Sequence, residues 1–170
     1  AIRMTERFAL KRISPDAIEH AVERAEHYRL LNDPEQAESI CLDILAVDDG
    51  NESARITLVL SLTDQFRRSV GSHGVRRAKE HVGKLSGDYE RAYYLGLVAE
   101  RQGRAHLLHG GMQRAFAYEG LHEAMQHYEQ ANALKPAGVD DAILRWNACV
   151  RTIERESLQP RRDEPELPLE

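Results

Sequence analysis

The sequence has only two cysteines and no long run of apolar residues. Cys41 and Cys149 both fall at apolar positions of predicted helices, and neither is accompanied by ligands at the spacing of a zinc site. We interpret them as reduced, buried thiols, which are typical of a reducing compartment. No stretch approaches the roughly 18 apolar residues of a membrane-spanning helix, and the first residues lack a signal-peptide core. We therefore expect a cytoplasmic protein with no membrane partner.

The sequence also lacks the motifs of common catalytic sites. It has no nucleophile elbow, phosphate-binding loop or dinucleotide fingerprint, and no strand pattern that would hold one. Its histidines are the only candidate metal ligands, and the predicted helix pairing leaves His106 and His122 about 12 Å apart, too far to share one ion. The sequence thus predicts no catalytic residue, no metal site and no cofactor. We expect a protein that is not an enzyme.

An excess of basic residues is absent as well. The 170-residue chain carries a net charge of −5, which disfavours nonspecific attraction to nucleic acid. Its hydrophobic content of 42% is nevertheless high enough to bury the core of a single domain. We expect a folded domain that does not bind nucleic acid.

Helical periodicity is what the sequence does contain, most clearly in residues 88–136. Apolar residues recur there at three- and four-residue spacings in two halves, which predicts two amphipathic helices. Gly96 and Ala124 are small residues at which these helices can approach closely. If they face each other in an antiparallel pair, the turn falls at residue 110, where the sequence has Gly110 and Gly111.

Five more amphipathic helices are predicted in the rest of the chain. Helix starts are marked by Ser14-Pro15, Asp33-Pro34 and Asp140, because short polar side chains cap a first turn and proline fits within it. The apolar faces of these helices lie within residues 18–31, 37–45, 56–70, 78–85 and 143–153. Together with the pair in residues 88–136, they predict three helical hairpins and one last helix.

The third hairpin carries small and aromatic residues in a distinctive order, which is Leu95, Gly96, Ala124, Tyr128, Ala131 and Pro136. In this order it resembles a tetratricopeptide repeat (TPR). The match is in motif order and not in length, because an ordinary repeat has about 16 fewer residues between Gly96 and Ala124. The extra residues lengthen both helices of the hairpin. In the predicted pairing these lengthened parts also contact each other, with Ala105 facing Ala115 and Leu108 facing Met112.

The resemblance implies an all-α fold, a TPR-like stack of three antiparallel helix hairpins plus a C-terminal capping helix with Trp146 in the core. The predicted organisation is an N-terminal segment at residues 1–13, a TPR-like helical repeat domain at 14–158 and a disordered tail at 159–170. Three prolines and little apolar surface distinguish the end of the chain. Because the chain opens at Ala1 and not at a methionine, we also consider that it is a fragment of a longer protein.

The concave groove of a TPR stack is its usual binding surface. The resemblance therefore implies a partner-binding groove, which we predict at Val22, Glu26, Ile56, Leu60, Tyr93, Leu97 and Glu100. These side chains form an apolar strip rimmed by acids, suited to a helix or extended segment with basic flanks. None of the twelve outward positions of the first helices is Lys or Asn, so the carboxylate clamp of chaperone-binding members is not expected. We predict a non-catalytic protein-protein interaction module that binds a peptide or helix of an unidentified protein.

Three alternatives to an open groove remain. The longer hairpins or the N-terminal segment can fill the groove themselves. The space between the third hairpin and the groove can instead serve a small-molecule or anion-binding regulatory helical domain. Self-association through the long hairpin, giving a homo-oligomer, is a further hypothesis.

A local basic patch is predicted at the tip of the second hairpin, and it consists of Arg67, Arg68, Arg76, Arg77 and Lys79. In an acidic protein such a cluster can bind an acidic partner or a phosphate, or it can simply be a solvated surface. No aromatic residues are interleaved with it to stack on bases, which argues against nucleic acid.

Overall fold

The computed structural model describes residues 8–68 and 72–162, and within these ranges the chain is helical without a single strand. The α-helices are α1 (Ile18–Leu30), α2 (Pro34–Val47), α3 (Glu52–Asp64), α4 (Ser72–Gly83), α5 (Asp88–His109), α6 (Ala117–Leu134) and α7 (Asp141–Arg155). Short 3-10 helices precede α1 at Pro15–Ala17 and α6 at Gly111–Phe116. The predicted all-α class is confirmed.

Each helix packs against the next one in the sequence, and α1, α3 and α5 also contact one another in a row. Two apolar clusters result. The first is centred on Cys41, Leu58 and Val82, and the second on Leu121 and Cys149. Residues of α5 belong to both clusters, so this long helix joins the two halves of the core.

The sequence pattern predicts where the helices begin better than it predicts which side chains cap them. The side chain of Asn51 caps α3 by accepting a hydrogen bond from the amide of Ala54 at 2.9 Å. The side-chain caps predicted at Ser14 and Asp33, and at Asp140 as one of two alternatives with Asp141, are wrong, since none of these three N-cap residues makes such a bond. Asp33 and Asp140 lie outside the extended conformation from which an N-cap side chain reaches the first amides of its helix.

Gly110 and Gly111 reverse the chain between α5 and α6, as predicted. Both have positive φ angles, of 63° and 53°, which favour glycine. The predicted contact between Leu108 and Met112 is wrong, because these side chains are 62% and 89% exposed. Residues 111–116 form a 3-10 helix, whose three-residue turn does not continue the register of an α-helical pair.

The closest approach of α5 and α6 lies at Gly103 and Gly120. A Cβ atom at residue 120 would lie 2.7 Å from the Cα atom of Gly103. Gly96 does not face Ala124 as predicted but lies against the ring of Tyr128, which is one turn farther along α6. The two helices therefore pair as an antiparallel hairpin, displaced by about one turn from the predicted register.

The ends of the described chain do not enter the core. Phe8 and Leu10 are 94% and 95% exposed, so this part of the predicted N-terminal segment covers nothing; residues 1–7 lie outside the described residues. At the other end, the amide and Nε of Arg161 donate to Glu119 Oε1 at 3.1 and 3.0 Å. Arg161, which lies in the tail that we expected to be disordered, therefore contacts α6. Residues 163–170 of that tail fall outside the described ranges.

None of the helices in the described part of the chain is both long enough and apolar enough to cross a lipid bilayer.

A buried polar contact joins α3 to α4. Arg55 is only 3% exposed, and its guanidinium donates to Asp49 Oδ1 at 2.9 Å and to His81 Nδ1 at 3.2 Å. Because a guanidinium cannot accept a hydrogen bond, Nδ1 must be unprotonated for this contact to form. Burial lowers the pKa of His81 below its usual 6.5, and the charges of Arg55, Lys84 and Arg77 lower it further against the opposing effect of Glu80.

This arrangement predicts a loss of stability in mild acid. The unfolded chain binds a proton at His81 more readily than the folded one, so the free energy of unfolding falls as the pH drops below about 6.5. Urea unfolding at several pH values between about 7.5 and 5.5 measures this slope. We expect a smaller slope in His81→Gln and the wild-type slope in His20→Gln, a control at an exposed position. Equal slopes in all three proteins would contradict the role of His81.

Candidate binding site

Three adjoining cavities run along the row of α1, α3 and α5, and we call them together the trough. The acidic cavity, of about 500 Å³, is lined by Pro15, Ile18, Glu19, Val22, Glu23, Asn51 and Ser53. The apolar cavity, of about 280 Å³, is lined by Glu26, Arg29, Leu30, Ser53, Ile56, Thr57 and Leu60. The arginine cavity, of about 520 Å³, is lined by Arg29, Leu30, Asn32, Thr63, Asp64, Arg67, Arg101, Arg104, Ala105 and Arg145. Neighbouring cavities share lining residues, which are Ser53 for the acidic and apolar cavities and Arg29 and Leu30 for the apolar and arginine cavities.

The groove residues predicted on α1 and α3 do line the trough. Val22 lies in the acidic cavity, and Glu26, Ile56 and Leu60 lie in the apolar cavity. Their side chains come from two helices of ordinary length, in which outward and inward positions follow the helical period. The structure brings these four residues together as predicted, and whether they bind a partner remains a prediction.

The groove residues predicted on α5 lie elsewhere. Leu97 is only 5% exposed and Glu100 is completely buried, so the surface role expected of these two is wrong. Tyr93 is half-buried and packs against the rings of Tyr89, Tyr94 and Tyr128. For Glu100 the reason is that Tyr128 of α6 and Arg145 of α7 bind its carboxylate, on a face that the sequence pattern predicted to be open.

Arginine is the main feature of one end of the trough. The arginine cavity has five of them, and they come from α1, α5, α7 and the residues that follow α3. Two carboxylates hold four of these arginines in place. Asp64 lies in the cavity wall, and Glu100 lies buried behind it.

Asp64 of α3 binds one arginine on each side. Arg29 Nε donates to its Oδ2 and Arg101 Nη1 to its Oδ1, both at 2.8 Å. The carboxylate is 18% exposed, while the two arginine side chains are 25% and 34% exposed. One aspartate thus links α1 to α5 through α3 and fixes two guanidinium groups at the edge of the cavity.

Glu100 of α5 binds the other pair. Arg104 Nε donates to Oε1 at 2.9 Å, and Arg145 of α7 donates to both carboxylate oxygens, with its Nε 3.1 Å from Oε2. The hydroxyl of Tyr128 also donates to Oε2, at 2.7 Å. Arg104 Nη1 reaches Thr152 on α7 at 3.0 Å. A completely buried carboxylate therefore receives hydrogen bonds from three side chains, and it orients two of the cavity's arginines.

These contacts keep Glu100 ionised inside the protein. Burial by itself would raise the pKa of its carboxyl. The hydrogen bonds from Arg145 and Tyr128 and the charges of Arg145 and Arg104 outweigh burial, and they hold the pKa below its usual 4.5. Burial and the adjacent carboxylate also raise the pKa of the Tyr128 hydroxyl, which therefore stays a hydrogen-bond donor at neutral pH.

Acidic residues pair with most of the predicted basic patch, of which Arg68 and Arg77 line one cavity together with His73. Arg68 pairs with Glu35 and Arg77 with Glu38, each at 2.6 Å, and these acids belong to α2. Lys79 lies 3.5 Å from Glu123 of α6. Arg76 contacts His73, whereas Arg67 lines the arginine cavity. Only Arg67 therefore contributes to the candidate site.

Other reactive groups give no second site within the described residues. No group of three or more His, Cys, Asp or Glu side chains there is arranged to hold a metal ion. Cys41 and Cys149 are free and buried, and burial raises the pKa of each thiol to about 12. Both thiols are consequently protonated at neutral pH and weakly nucleophilic.

Two arginines of the arginine cavity, Arg101 and Arg104, could have been predicted from the sequence. Arg101 follows Leu97 and Arg104 follows Glu100 at four residues each, so the two arginines extend the predicted outward face of α5 by one turn. Extending that face along the lengthened helix would have found both. No comparable signal points to Asp64 or Arg145, because their place in the cavity depends on how separate helices pack.

Comparison of the chain with protein-family models, curated proteins and solved structures found no match in any of the three.

Proposed function

We propose that this protein is a non-catalytic, TPR-like interaction module that holds a segment of a partner protein in the trough. The observation that carries the proposal is the row of three cavities along α1, α3 and α5, in which neighbouring cavities share lining residues. A trough of this length suits an extended chain or a helix better than a compact metabolite. A cytoplasmic location belongs to the same proposal and agrees with the two buried free thiols.

The chemistry of the trough indicates which kind of segment would bind. Glu19 and Glu23 lie at one end, apolar Ile56 and Leu60 line the middle, and arginines line the other end. Opposite charges across an interface favour one orientation of the bound chain. We therefore expect a segment with a basic residue at one end, apolar residues in the middle and an anionic group at the other end.

Substituting the apolar cavity tests this function. We expect the double variant Ile56→Glu, Leu60→Glu to lose a bound partner, because two carboxylates would replace the apolar surface of the cavity. Affinity capture from a native lysate, with mass spectrometry of the captured proteins, measures the loss. Binding should fall at least about tenfold, since burying either charge costs more than 1.4 kcal/mol.

Leu42→Glu is the matched control for this experiment. Leu42 lies on α2, outside the lining of the trough, and is 43% exposed. Circular dichroism should show that all variants stay folded. The proposed function is wrong if the variants and the wild type capture the same proteins, or if the wild type captures none.

An anion-binding regulatory domain is the second candidate. The arginine cavity favours it, since about 520 Å³ is within the usual size of a small-ligand site and the lining is rich in positive charge. This candidate differs from the first in needing no ligand in the apolar cavity. Ligand binding that survives Ile56→Glu, Leu60→Glu unchanged would support it.

A further inference from the structure

The arginine cavity has a charge opposite to that of the whole chain. Five arginines line it with one carboxylate, and Glu100 behind the wall supplies a second, which leaves three surplus positive charges in a protein of net charge −5. Like charges held together repel one another and cost free energy. An anionic ligand would remove this cost, and its own charge would be neutralised in return.

The guanidinium groups are already held in place before any ligand binds. Asp64 fixes Arg29 and Arg101, and Glu100 fixes Arg104 and Arg145. A ligand therefore does not have to order these long side chains, which is a large part of the usual cost of binding.

Each of these arginines also keeps hydrogen-bond donors to offer. The contacts with Asp64 use Nε of Arg29 and Nη1 of Arg101, and a guanidinium has five N–H groups. Arg104 and Arg145 remain 30% and 35% exposed although their carboxylate partner is buried. The cavity is thus lined by several arginines that have N–H groups not used in these contacts.

We propose that the arginine cavity is a binding site for a phosphate monoester, carried by a phosphorylated side chain of the partner segment that occupies the rest of the trough. The link to a segment rests on the proposed function above. The phosphate site itself does not, because it is argued from the arginine cavity alone.

Phosphate fits this cavity better than a carboxylate does. A phosphate monoester carries between one and two negative charges near neutral pH and has three acceptor oxygens. A carboxylate has one charge and two oxygens, so it would leave more of the surplus positive charge uncompensated. Arginine forks bind phosphate oxygens in pairs, and clusters of arginines are a recurring way to recognise phosphorylated residues.

The position of the cavity indicates that the phosphate belongs to a chain. Arg29 and Leu30 line both the arginine cavity and the apolar cavity, so one extended ligand can contact both. A compact anion in the arginine cavity would leave the apolar surface of Ile56 and Leu60 uncovered, because these two residues line only the apolar cavity. A phosphorylated residue with apolar neighbours uses both cavities.

The phosphate site is tested with small probes. We would titrate the protein with phenyl phosphate at constant ionic strength, follow backbone amide shifts by NMR, and repeat the titration with acetate. We expect saturable binding of phenyl phosphate and at least about tenfold weaker binding of acetate. In Arg67→Gln, Arg101→Gln, affinity for phenyl phosphate should fall by about tenfold or more, because two donors are lost.

The matched control is Arg76→Gln, Arg151→Gln, which removes the same charge from two exposed arginines outside the arginine cavity. It should keep the wild-type affinity. The phosphate site is wrong if phenyl phosphate does not saturate, if acetate binds equally well, or if both double variants weaken binding by the same factor.

A peptide experiment separates this inference from the proposed function. We would screen a peptide library with phosphoserine at a fixed position, alongside the same library with serine, and include a single-stranded DNA oligomer. We expect enrichment of phosphopeptides, lost in Arg67→Gln, Arg101→Gln and kept in its control. If phenyl phosphate binds but no phosphopeptide does, or if the oligomer binds more tightly, the phosphorylated segment is wrong. The serine peptides could instead bind as tightly as the phosphopeptides, with their binding abolished only in the double variant Ile56→Glu, Leu60→Glu. That result would support the proposed function and contradict the phosphate site.

Discussion

Replacing Glu100 with Gln should lower the free energy of unfolding by about 3 kcal/mol, because a buried carboxylate would be removed from two arginines that depend on it. Glu100 is completely buried and receives hydrogen bonds from Arg104, Arg145 and Tyr128. Glutamine has nearly the same shape as glutamate, so the loss of stability measures the effect of removing the charge and not that of creating a cavity. For a domain of this size we expect a fall in Tm of about 6–12 °C.

Glu123→Gln is the control for this substitution. Glu123 is 44% exposed and lies 3.5 Å from Lys79, and an exposed ion pair of this kind contributes at most about 1 kcal/mol. Urea unfolding of the wild type and both variants gives the comparison. Equal losses of stability in the two variants would show that the contacts of Glu100 contribute no more than an exposed ion pair does.

The pH dependence of the Glu100→Gln effect is a second check. The folded-state pKa of Glu100 lies below its usual 4.5, so the carboxylate contributes fully above that value. This contribution is lost as the pH falls through the folded-state pKa. The difference in stability between the wild type and Glu100→Gln should therefore stay constant from about pH 7 to about pH 5 and narrow as the pH falls below 4.5. A difference that does not narrow below pH 4.5 would contradict an ionised Glu100.

Replacing Gly120 with Ala should lower stability by about 3 kcal/mol, because the added methyl group would be placed against the backbone of α5. The Cβ atom would lie 2.7 Å from the Cα atom and 3.0 Å from the amide nitrogen of Gly103. Backbone atoms in the middle of a helix cannot turn aside as a flexible side chain can, so α5 and α6 would have to separate. We expect the loss at the upper end of the range for overpacked sites.

Gly83→Ala is the matched control for the α5–α6 contact. Gly83 is the last residue of α4, and a Cβ atom there would meet nothing within 4 Å. The same substitution should leave stability unchanged or raise it by up to about 1 kcal/mol, because alanine favours the helix. Thermal unfolding followed by circular dichroism measures both variants. If Gly120→Ala is as stable as Gly83→Ala, the close approach of α5 and α6 is wrong.

Glu100 and the contact between α5 and α6 support the trough in different ways. The contact between Gly103 and Gly120 sets the distance between α5 and α6, and Tyr128 of α6 reaches Glu100 only at that distance. Glu100 in turn orients Arg104 and Arg145. A variant at Gly120 should therefore weaken phenyl phosphate binding as well as stability, even though Gly120 does not line the arginine cavity.

The sequence by itself determined the class of the fold and much of its local structure. Helical periodicity predicted seven α-helices, and all seven are present in the described chain. Gly110 and Gly111 predicted the turn between α5 and α6, because positive φ angles favour glycine. The groove residues predicted on α1 and α3 line two cavities, since each helix there has ordinary length and its faces follow from the period alone.

Only the tertiary structure decided which face of α5 is open and where the arginines meet. The helical period places Leu97 and Glu100 on the outward face, but both are buried, and side chains of α6 and α7 bind Glu100. Arg29, Asp64, Arg101 and Arg145 come from four different helices, and nothing in their spacing links them. A helical period is a property of neighbouring residues, whereas the register and closeness of separate helices depend on contacts such as Gly103 with Gly120, which form only when the chain packs.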